Sequence, residues 1–298
     1  MPRTNDFQKV YDNEDFQNAV QKDYPYIVDI ELTNICNLKC MFCLGAQAMT
    51  RKRGFIKEKV FKKVVDECAE NNIPIRFIRW GEPFMHPDII EFCKYIKGKG
   101  LPLHITNNGL RIREKQMKEL VKLEVDSLIF SMQGATKEQY KAMRDTDRYD
   151  DFVSAVKKMV EIRGKAKKPF IRITSTMLPA DTEEDIAKFK KFWGKIADEV
   201  SVGQTIPFWN PAVVTKILQK EYVPCKEVHR LLGIDWDGKA TACCGDHDNL
   251  LTVGDIKRSS IKTVWKNRRI NAIRTILDAK GHRTLTKCST CSRAYEGL

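Results

Sequence analysis

Three cysteines on one short stretch carry the clearest chemistry in this chain of 298 residues. Cys36, Cys40 and Cys43 follow directly after the apolar run Tyr26–Leu32, with three residues and then two between them. Three thiolates on one tight loop can hold three corners of a four-iron cluster and leave the fourth iron open to a ligand. Two alternatives are open for this loop. Cys40 and Cys43 alone would suit a redox pair or half of a zinc site, although a structural zinc site normally has four closed ligands.

Short apolar runs that alternate with amphipathic helical patterns must position this loop. Six runs have the length of buried strands, at 27–32, 75–78, 103–106, 127–132, 171–177 and 199–202. Helical patterns separate them at 57–71, 87–99, 112–122, 136–161 (broken near Thr146) and 182–196. Six strand–helix units predict an α/β fold with a parallel sheet and helices on its outer face. Cys68 and Cys93 lie in register with apolar helix faces, so we expect them to be core residues.

A second motif, Gly81-Glu82-Pro83, ends the strand that follows the cysteine loop. Together with the cysteine spacing, this stretch resembles the radical S-adenosylmethionine (SAM) superfamily. The resemblance implies a partial (β/α)6 barrel similar to the TIM barrel, in which chemistry occurs at the C-terminal ends of the strands. It also implies that the open iron of a [4Fe-4S] cluster binds SAM, and that Gly81, Glu82 and Pro83 meet its amino group.

The same resemblance implies further contacts with SAM. Asn108 matches the asparagine of a Thr-Asn-Gly pattern, but the neighbouring Asn107 leaves two registers open. Arg144 matches a basic residue that pairs with the SAM carboxylate, and exposure to solvent is the alternative for an arginine on a helix. Ser131 and Ser175 are expected near the ribose or the carboxylate.

The last quarter of the chain contains five more cysteines, Cys225, Cys243, Cys244, Cys288 and Cys291. An Asp-Gly pair between two short extended runs at 234–240 predicts a hairpin among them. Their order resembles the C-terminal SPASM domain of radical SAM enzymes, or its shorter relative, the Twitch domain. The resemblance implies one auxiliary [4Fe-4S] cluster held by Cys225, Cys243, Cys288 and Cys291. Cys244 would be a spare thiol or exchange roles with Cys243, and a four-cysteine zinc site is the alternative.

These patterns divide the chain into a lead-in at 1–23, a radical SAM core at 24–205 and a cysteine-rich auxiliary domain at 206–298. We expect the lead-in to be short helices or loose chain. Two charged stretches are interpreted as solvated loops, namely the basic run Arg51-Lys52-Arg53 and the tripeptide Asp246-His247-Asp248.

Composition limits the partners and the compartment. The formal net charge is +13, which suits a small, anionic substrate and an acidic electron donor of the flavodoxin or ferredoxin type. Basic residues do not form a stripe with interleaved aromatics, so we expect no nucleic-acid partner. No apolar stretch approaches ~20 residues, and the N-terminus lacks the apolar centre of a secretory signal, so we expect a cytoplasmic protein without a membrane span. Ten cysteines in that compartment favour metal binding over disulfides.

The resemblance predicts a radical SAM oxidoreductase that resembles a dehydrogenase. It would cleave SAM to a 5′-deoxyadenosyl radical and remove hydrogen from a sugar, a cyclitol or a nucleotide-linked alcohol, with the auxiliary cluster taking an electron. A peptide-modifying radical SAM enzyme is the alternative within the superfamily, and a non-enzymatic iron–sulfur or zinc protein is the alternative outside it. Arg172 and Glu31 alternate with apolar residues in predicted strands, and we expect at least one of them to contact substrate.

Overall fold

The structure, a computed structural model, describes residues 3, 5–177, 182–204, 221–289 and 291. Its strands in chain order are β1 Ile27–Ile30, β2 Ile75–Phe77, β3 Leu103–Asn107, β4 Ser127–Gln133, β5 Phe170–Met177, β6 Glu199–Gln204, β7 Leu231–Ile234, β8 Lys239–Thr241 and β9 Thr252–Asp255. They form one sheet in the order β6-β5-β4-β3-β2-β1-β7-β8-β9. Strands β1 to β6 pair in parallel, which confirms the predicted parallel core.

Helices alternate with the first six strands, as the apolar periodicity predicts. Those of the core are Leu44–Gln47, Glu58–Glu70, Ile89–Gly98, Glu114–Lys122, Lys137–Arg144, Tyr149–Arg163 and Glu183–Trp193. Two more, Ile261–Lys266 and Arg268–Asp278, follow β9. Cys68 and Cys93 are both completely buried in the apolar core, as their helical register predicts. Within the described part of the chain, we find no helix with the length and apolar character that crossing a membrane requires.

The two faces of the parallel sheet differ in chemistry because successive side chains of a strand point to opposite faces. One face carries apolar residues, among them Ile105, Phe130 and Ile171, which join the core cluster that includes the helices. The inner face carries half-buried polar residues, which are Thr106, Ser131, Arg172, Thr174 and Thr176. The inner face of β3, β4 and β5, which lines the barrel interior, therefore carries many polar side chains.

The lead-in folds against the sheet. Two short helices, Gln8–Tyr11 and Glu14–Gln17, contain or flank the buried rings of Phe7 and Phe16. The Phe7 ring lies 5.4 Å from the ring of His104 at the N-terminal end of β3. Residues 5–17 thus cover the N-terminal end of the barrel instead of forming loose chain.

The hairpin after residue 220 continues the sheet of the core. β7 pairs in parallel with β1, from Ile27↔Leu231 to Ile30↔Ile234, and β8 returns antiparallel to β7. Gly238 has a φ of +85° in the connecting turn, which glycine adopts without strain and which confirms the predicted hairpin. The boundary predicted at 205/206 adjoins 205–220, outside the described residues, so the division into domains stays a prediction.

Candidate active site

The cysteine loop begins where β1 ends and gathers three thiols. Cys36 lies within electrostatic reach of both Cys40 and Cys43. Burial raises the pKa of the Cys40 thiol, and the neighbouring Arg144 acts in the opposite direction. Two donors are directed at sulfur, since Asn108 Nδ2 lies 3.8 Å from Cys36 Sγ and Arg144 Nη1 lies 3.8 Å from Cys40 Sγ. Hydrogen bonds of this kind adjust the potential of a cluster, so the donor set fits an iron–sulfur cluster with three thiolate ligands.

The Gly-Glu-Pro turn packs directly on the start of the cysteine loop. The backbone N–H of Glu82 donates to the carbonyl oxygen of Ile35 at 3.0 Å. A Cβ atom on Gly81 would lie 2.9 Å from the same oxygen, so this close approach of two backbones requires glycine. Pro83 begins a short 3₁₀ helix, Pro83–Met85.

The Glu82 carboxylate connects the ends of β2 and β3. Its Oε1 accepts from Phe84 N at 3.1 Å, and its Oε2 accepts from Asn108 N at 2.7 Å. The side chain is buried, and burial raises the pKa of Glu82 to about 7 although both N–H donors oppose the shift. A cation placed beside this carboxyl group would favour its charged form.

The two asparagines at the end of β3 have different roles. Asn108 extends toward the cysteine loop, where its Nδ2 also donates to Asn37 Oδ1 at 2.9 Å. Asn107 turns away, with Nδ2 on the carbonyl of Ile129 and Oδ1 accepting from Gly109 N. The two asparagine side chains therefore point in different directions, and Asn108 faces the cysteine loop. Its predicted contact with SAM stays a prediction.

Arg144 is buried, unlike most arginines on helices. Its Nη2 donates to the Ser131 carbonyl oxygen, and its Nε has no hydrogen-bond partner among the described residues. The guanidinium therefore lies between Cys40 and the C-terminal part of β4 with one donor available. This placement suits the carboxylate of a bound amino acid.

Ser175 lies on the other face of the sheet from Thr174 and Thr176. It shares its face with Ile173, a core residue, and its hydroxyl donates to the Gly134 carbonyl oxygen at 3.0 Å. This hydroxyl has a structural partner within the fold, and its predicted contact with SAM is not tested.

Glu31 and Arg172 differ in their accessibility. Glu31 is buried and binds Arg51 through two hydrogen bonds, Nη1–Oε2 at 2.8 Å and Nη2–Oε1 at 2.6 Å. Arg172 donates to Glu199 Oε2 at 2.7 Å, and its side chain remains 17% exposed. Its buried Nε has no hydrogen-bond partner in the described part of the chain. Arg172 is thus the more accessible of the two side chains, and the predicted contact of either with substrate stays a prediction.

The C-terminal cysteines also lie close to one another. Burial raises the pKa of Cys288 to about 12, with the thiols of Cys291 and Cys225 adding to the shift. A hydrogen bond with the Cys244 thiol raises the pKa of Cys243, and burial and Cys291 add to it. All five thiols thus lie in one group, a donor set that fits a cluster with four thiolates and leaves one over. Across the described residues, no three His, Cys, Asp or Glu side chains converge on one point that could hold a single metal ion.

The interpretation of 246–248 and Arg51 as solvated loops is wrong. Asp246 is completely buried and accepts from the backbone N–H groups of Leu250 and Leu251 at 3.1 and 2.8 Å. Asp248 Oδ1 accepts from the backbone N–H of Arg51 at 3.2 Å, and Arg51 Nε donates to the His247 carbonyl at 2.7 Å. These residues join the loop after Cys243 to the segment after Cys43. No local pattern could have revealed the contacts of Arg51 with His247 and Asp248, because these partners are nearly 200 residues apart.

Comparison with known families agrees with this geometry. The model of the Radical SAM superfamily matches residues 30–192, and that of SPASM, an iron–sulfur cluster-binding domain, matches residues 225–292. The chain is 29% identical over 166 residues to the AdoMet-dependent heme synthase of Methanosarcina barkeri, which is 56% of this chain and 46% of that protein. AdoMet is another abbreviation for SAM. The chain spans about half the length of the curated relatives it matches.

Two solved structures show the same fold at low sequence identity. BtrN in complex with AdoMet and 2-DOIA has a TM-score of 0.60 at 15% identity, covering 89% of this chain and 92% of that one. SuiB of Streptococcus suis, bound to its precursor peptide SuiA, has a TM-score of 0.69 at 16% identity and covers 90% and 70%. The matched families establish the two cofactor classes, a SAM-binding four-iron cluster and an auxiliary iron–sulfur cluster.

Proposed function

We propose, because this chain belongs to the radical SAM superfamily and carries an auxiliary iron–sulfur domain, that it oxidises an alcohol on a sugar, a cyclitol or a nucleotide-linked molecule. Bound SAM and its cluster supply a 5′-deoxyadenosyl radical, which removes a hydrogen atom from the substrate. Loss of one more proton and one electron would leave a ketone, and a cluster held by the C-terminal cysteines would provide the acceptor for that electron. The proposed ligands are Cys36, Cys40 and Cys43 for the first cluster, and Cys225, Cys243, Cys288 and Cys291 for the second.

The observation that carries the proposal is the chemistry of the inner face. Between β3 and β6 this face carries the hydroxyls of Thr106, Ser131, Thr174 and Thr176, all on half-buried residues. Hydroxyl groups can both donate and accept hydrogen bonds, so they suit a ligand with several hydroxyls of its own. A polar substrate bound there would lie at the C-terminal ends of the strands, beside the cysteine loop and the Gly-Glu-Pro turn.

The residues around the first cysteine loop have proposed roles toward SAM. Gly81, Glu82 and Pro83 bind its amino group, with the Glu82 carboxylate charged. Arg144 binds the carboxylate through the Nε that has no partner among the described residues. Asn108 contacts the nucleoside and holds Cys36 in place.

Arg172 is the proposed contact for an anionic group of the substrate. Its charge is shared with Glu199, whose side chain is 40% exposed, so an anion could replace that carboxylate at little cost. Arg172→Gln is expected to raise KM for a phosphorylated substrate and to leave uncoupled SAM cleavage unchanged. If substrate turnover and uncoupled SAM cleavage fell equally, Arg172 would have a role in stabilising the fold and not in binding substrate. An acidic flavodoxin or ferredoxin is the proposed source of electrons for this basic chain.

A peptide substrate is the second candidate, favoured by the likeness to SuiB bound to a precursor peptide. The two candidates differ in the size and the chemistry of what fills the barrel. A peptide would leave the hydroxyl-lined face in contact with one side chain, whereas a cyclitol would use most of it.

The deciding experiment uses the full chain, reconstituted without oxygen. We expect about eight irons per chain, as two four-iron clusters require, and 5′-deoxyadenosine formation with SAM and dithionite. Sugar phosphates, aminocyclitols and nucleotide sugars are then added in deuterated form. Deuterium in 5′-deoxyadenosine together with a product two hydrogens lighter would support the proposal. Deuterium transfer only from peptides would replace it with the second candidate, and absence of SAM cleavage would reject both.

A further inference from the structure

Two residues at the end of β2 reach the loop that follows Cys243. Arg79 Nη1 lies 3.3 Å from the carbonyl oxygen of Cys243, and its Nη2 lies 3.3 Å from the carbonyl oxygen of Asp246. Trp80 Nε1 donates to the same Asp246 oxygen at 2.9 Å. The segment between β2 and the Gly-Glu-Pro turn therefore also holds the loop that carries one auxiliary cysteine.

The Arg79 guanidinium is fixed in one position. Its side chain is 1% exposed, and its Nε and Nη2 lie 2.9 and 2.8 Å from Asp235 Oδ1 at the end of β7. Gly233 provides the space, because a Cβ atom there would lie 2.9 Å from Arg79 Cζ. Burial would lower the pKa of Arg79, but Asp235 and Glu31 raise it above its ordinary value, so the group stays charged.

A fixed buried cation beside a cluster changes how readily the cluster is reduced. A cluster with thiolate ligands becomes more negative when it gains an electron, and its potential depends on nearby charge and on hydrogen bonds. In the low dielectric of a protein interior the attraction is much stronger than in water. Arg79 lies within electrostatic reach of Cys244 as well as in contact with the Cys243 carbonyl, so its charge acts at close range.

We propose that Arg79 raises the reduction potential of the auxiliary cluster, and that Trp80 keeps the loop of Cys243 within reach of that charge. Arg79 is a positioning residue, acting through the Cys243 and Asp246 carbonyls. The step concerned is the transfer of one electron to the oxidised cluster, which dithionite supplies in the test below. The inference depends on the auxiliary cluster alone and is independent of the substrate proposed above.

The test is a redox titration of the full-length holoenzyme, with dithionite and mediators, followed by electron paramagnetic resonance. The signal that changes on adding SAM belongs to the SAM-binding cluster, and the other signal reports the auxiliary cluster. Arg79→Gln is expected to lower the ratio of reduced to oxidised auxiliary cluster at a fixed potential at least tenfold, which is about 59 mV for a one-electron couple. Asp235→Asn removes the compensating anion and is expected to shift the potential in the opposite direction.

Arg76, which lies on β2 three residues before Arg79, provides a matched control. Its guanidinium also binds one aspartate, with Nε and Nη2 at 2.6 and 2.8 Å from the two oxygens of Asp29. It faces the floor of the barrel, where it also donates to Tyr11. Arg76→Gln breaks the same kind of buried pair and is expected to leave the auxiliary potential unchanged.

The signs of the shifts in reduction potential distinguish an effect of the Arg79 charge from a general loosening of the fold. Shifts of Arg79→Gln and Asp235→Asn in the same direction, or an equal shift in Arg76→Gln, would overturn the proposal, because general loosening of the fold would explain them. If Arg79→Gln does not assemble the cluster, an unchanged potential in Asp235→Asn would overturn it as well. Trp80→Phe, which lacks the N–H that binds Asp246, is expected to shift the potential in the direction of Arg79→Gln by a smaller amount.

Discussion

Gly81→Ala is the most direct test of how the Gly-Glu-Pro turn positions the cysteine loop. The added Cβ would lie 2.7 Å from the carbonyl carbon of Thr33, and closer still to its oxygen. The oxygen would lie at 2.0 Å, so restoring an ordinary contact of 3.4 Å to it requires the two backbones to separate by about 1.4 Å. Thr33 lies three residues before Cys36, so the displacement would pass directly into the loop that is proposed to hold the first cluster.

The expected result is a large loss of SAM cleavage with the auxiliary cluster intact. A misplacement of about 1 Å at a reacting centre can reduce a rate about 100-fold, and we expect a loss of that order. The assay is the initial rate of 5′-deoxyadenosine formation with SAM and dithionite, measured together with iron content and the resonance signal of each cluster. Loss of only the signal that responds to SAM would agree with the geometry.

Gly98→Ala is the matched control. Gly98 ends the helix Ile89–Gly98, and a Cβ atom there would meet nothing within 4 Å. Alanine favours a helix over glycine by up to about 1 kcal/mol, so this variant is expected to cleave SAM at the unchanged rate. Cleavage by Gly81→Ala within about threefold of the unmodified chain would refute the reasoning on close approach.

Three further predictions concern other contacts. SAM binding is expected to release a proton below pH 7, because the pKa of Glu82 is about 7 and a bound cation favours the charged carboxylate. The affinity for SAM should therefore fall about tenfold for each pH unit below 7. Calorimetry in buffers of different ionisation enthalpy should show that Glu82→Gln does not release this proton on binding SAM. Equal proton release by the variant and the unmodified chain would contradict the assignment of the proton to Glu82. Phe7→Ala should cost about 3–5 kcal/mol of the free energy of unfolding, seen as a lower midpoint of thermal unfolding with the iron content unchanged. Asp248→Ala removes the acceptor of the Thr50 and Arg51 N–H groups, so trypsin should cut after Arg51 faster, and an unchanged rate would speak against this docking.

The elements of the core could be predicted from sequence because their signals are local. Apolar runs and helical periodicity located six strands and the helices between them to within a few residues. The face of the sheet on which a strand residue lies is also set locally, as Ser175 shows. It stands two residues after Ile173, so alternation along β5 places both on the face that packs against the helices, away from the polar interior.

Contacts between distant segments could not be predicted in this way. Arg51 stands in a run of three basic residues, which taken alone is typical of a solvated loop. Its burial depends on Glu31 and on the His247 carbonyl, and neither partner can be recognised before the hairpin of β7 and β8 is placed. A buried ion pair is specified by the tertiary fold, since an unpaired charge there would cost several kcal/mol.

The pairing of β7 with β1 joins the strand before the first cysteine loop to the hairpin that leads to Cys243. β1 leads directly into the loop of Cys36, and the strand pairing continues to the end of both strands, where Ile30 is opposite Ile234. The next residue on each strand is acidic, Glu31 and Asp235, and Arg51 lies between them at 2.6 and 3.7 Å. A chain that broke this pairing would leave buried charges without partners. The parallel pair therefore fixes the hairpin before Cys243 relative to the loop of Cys36, as the proposed role of the auxiliary cluster as an electron acceptor requires.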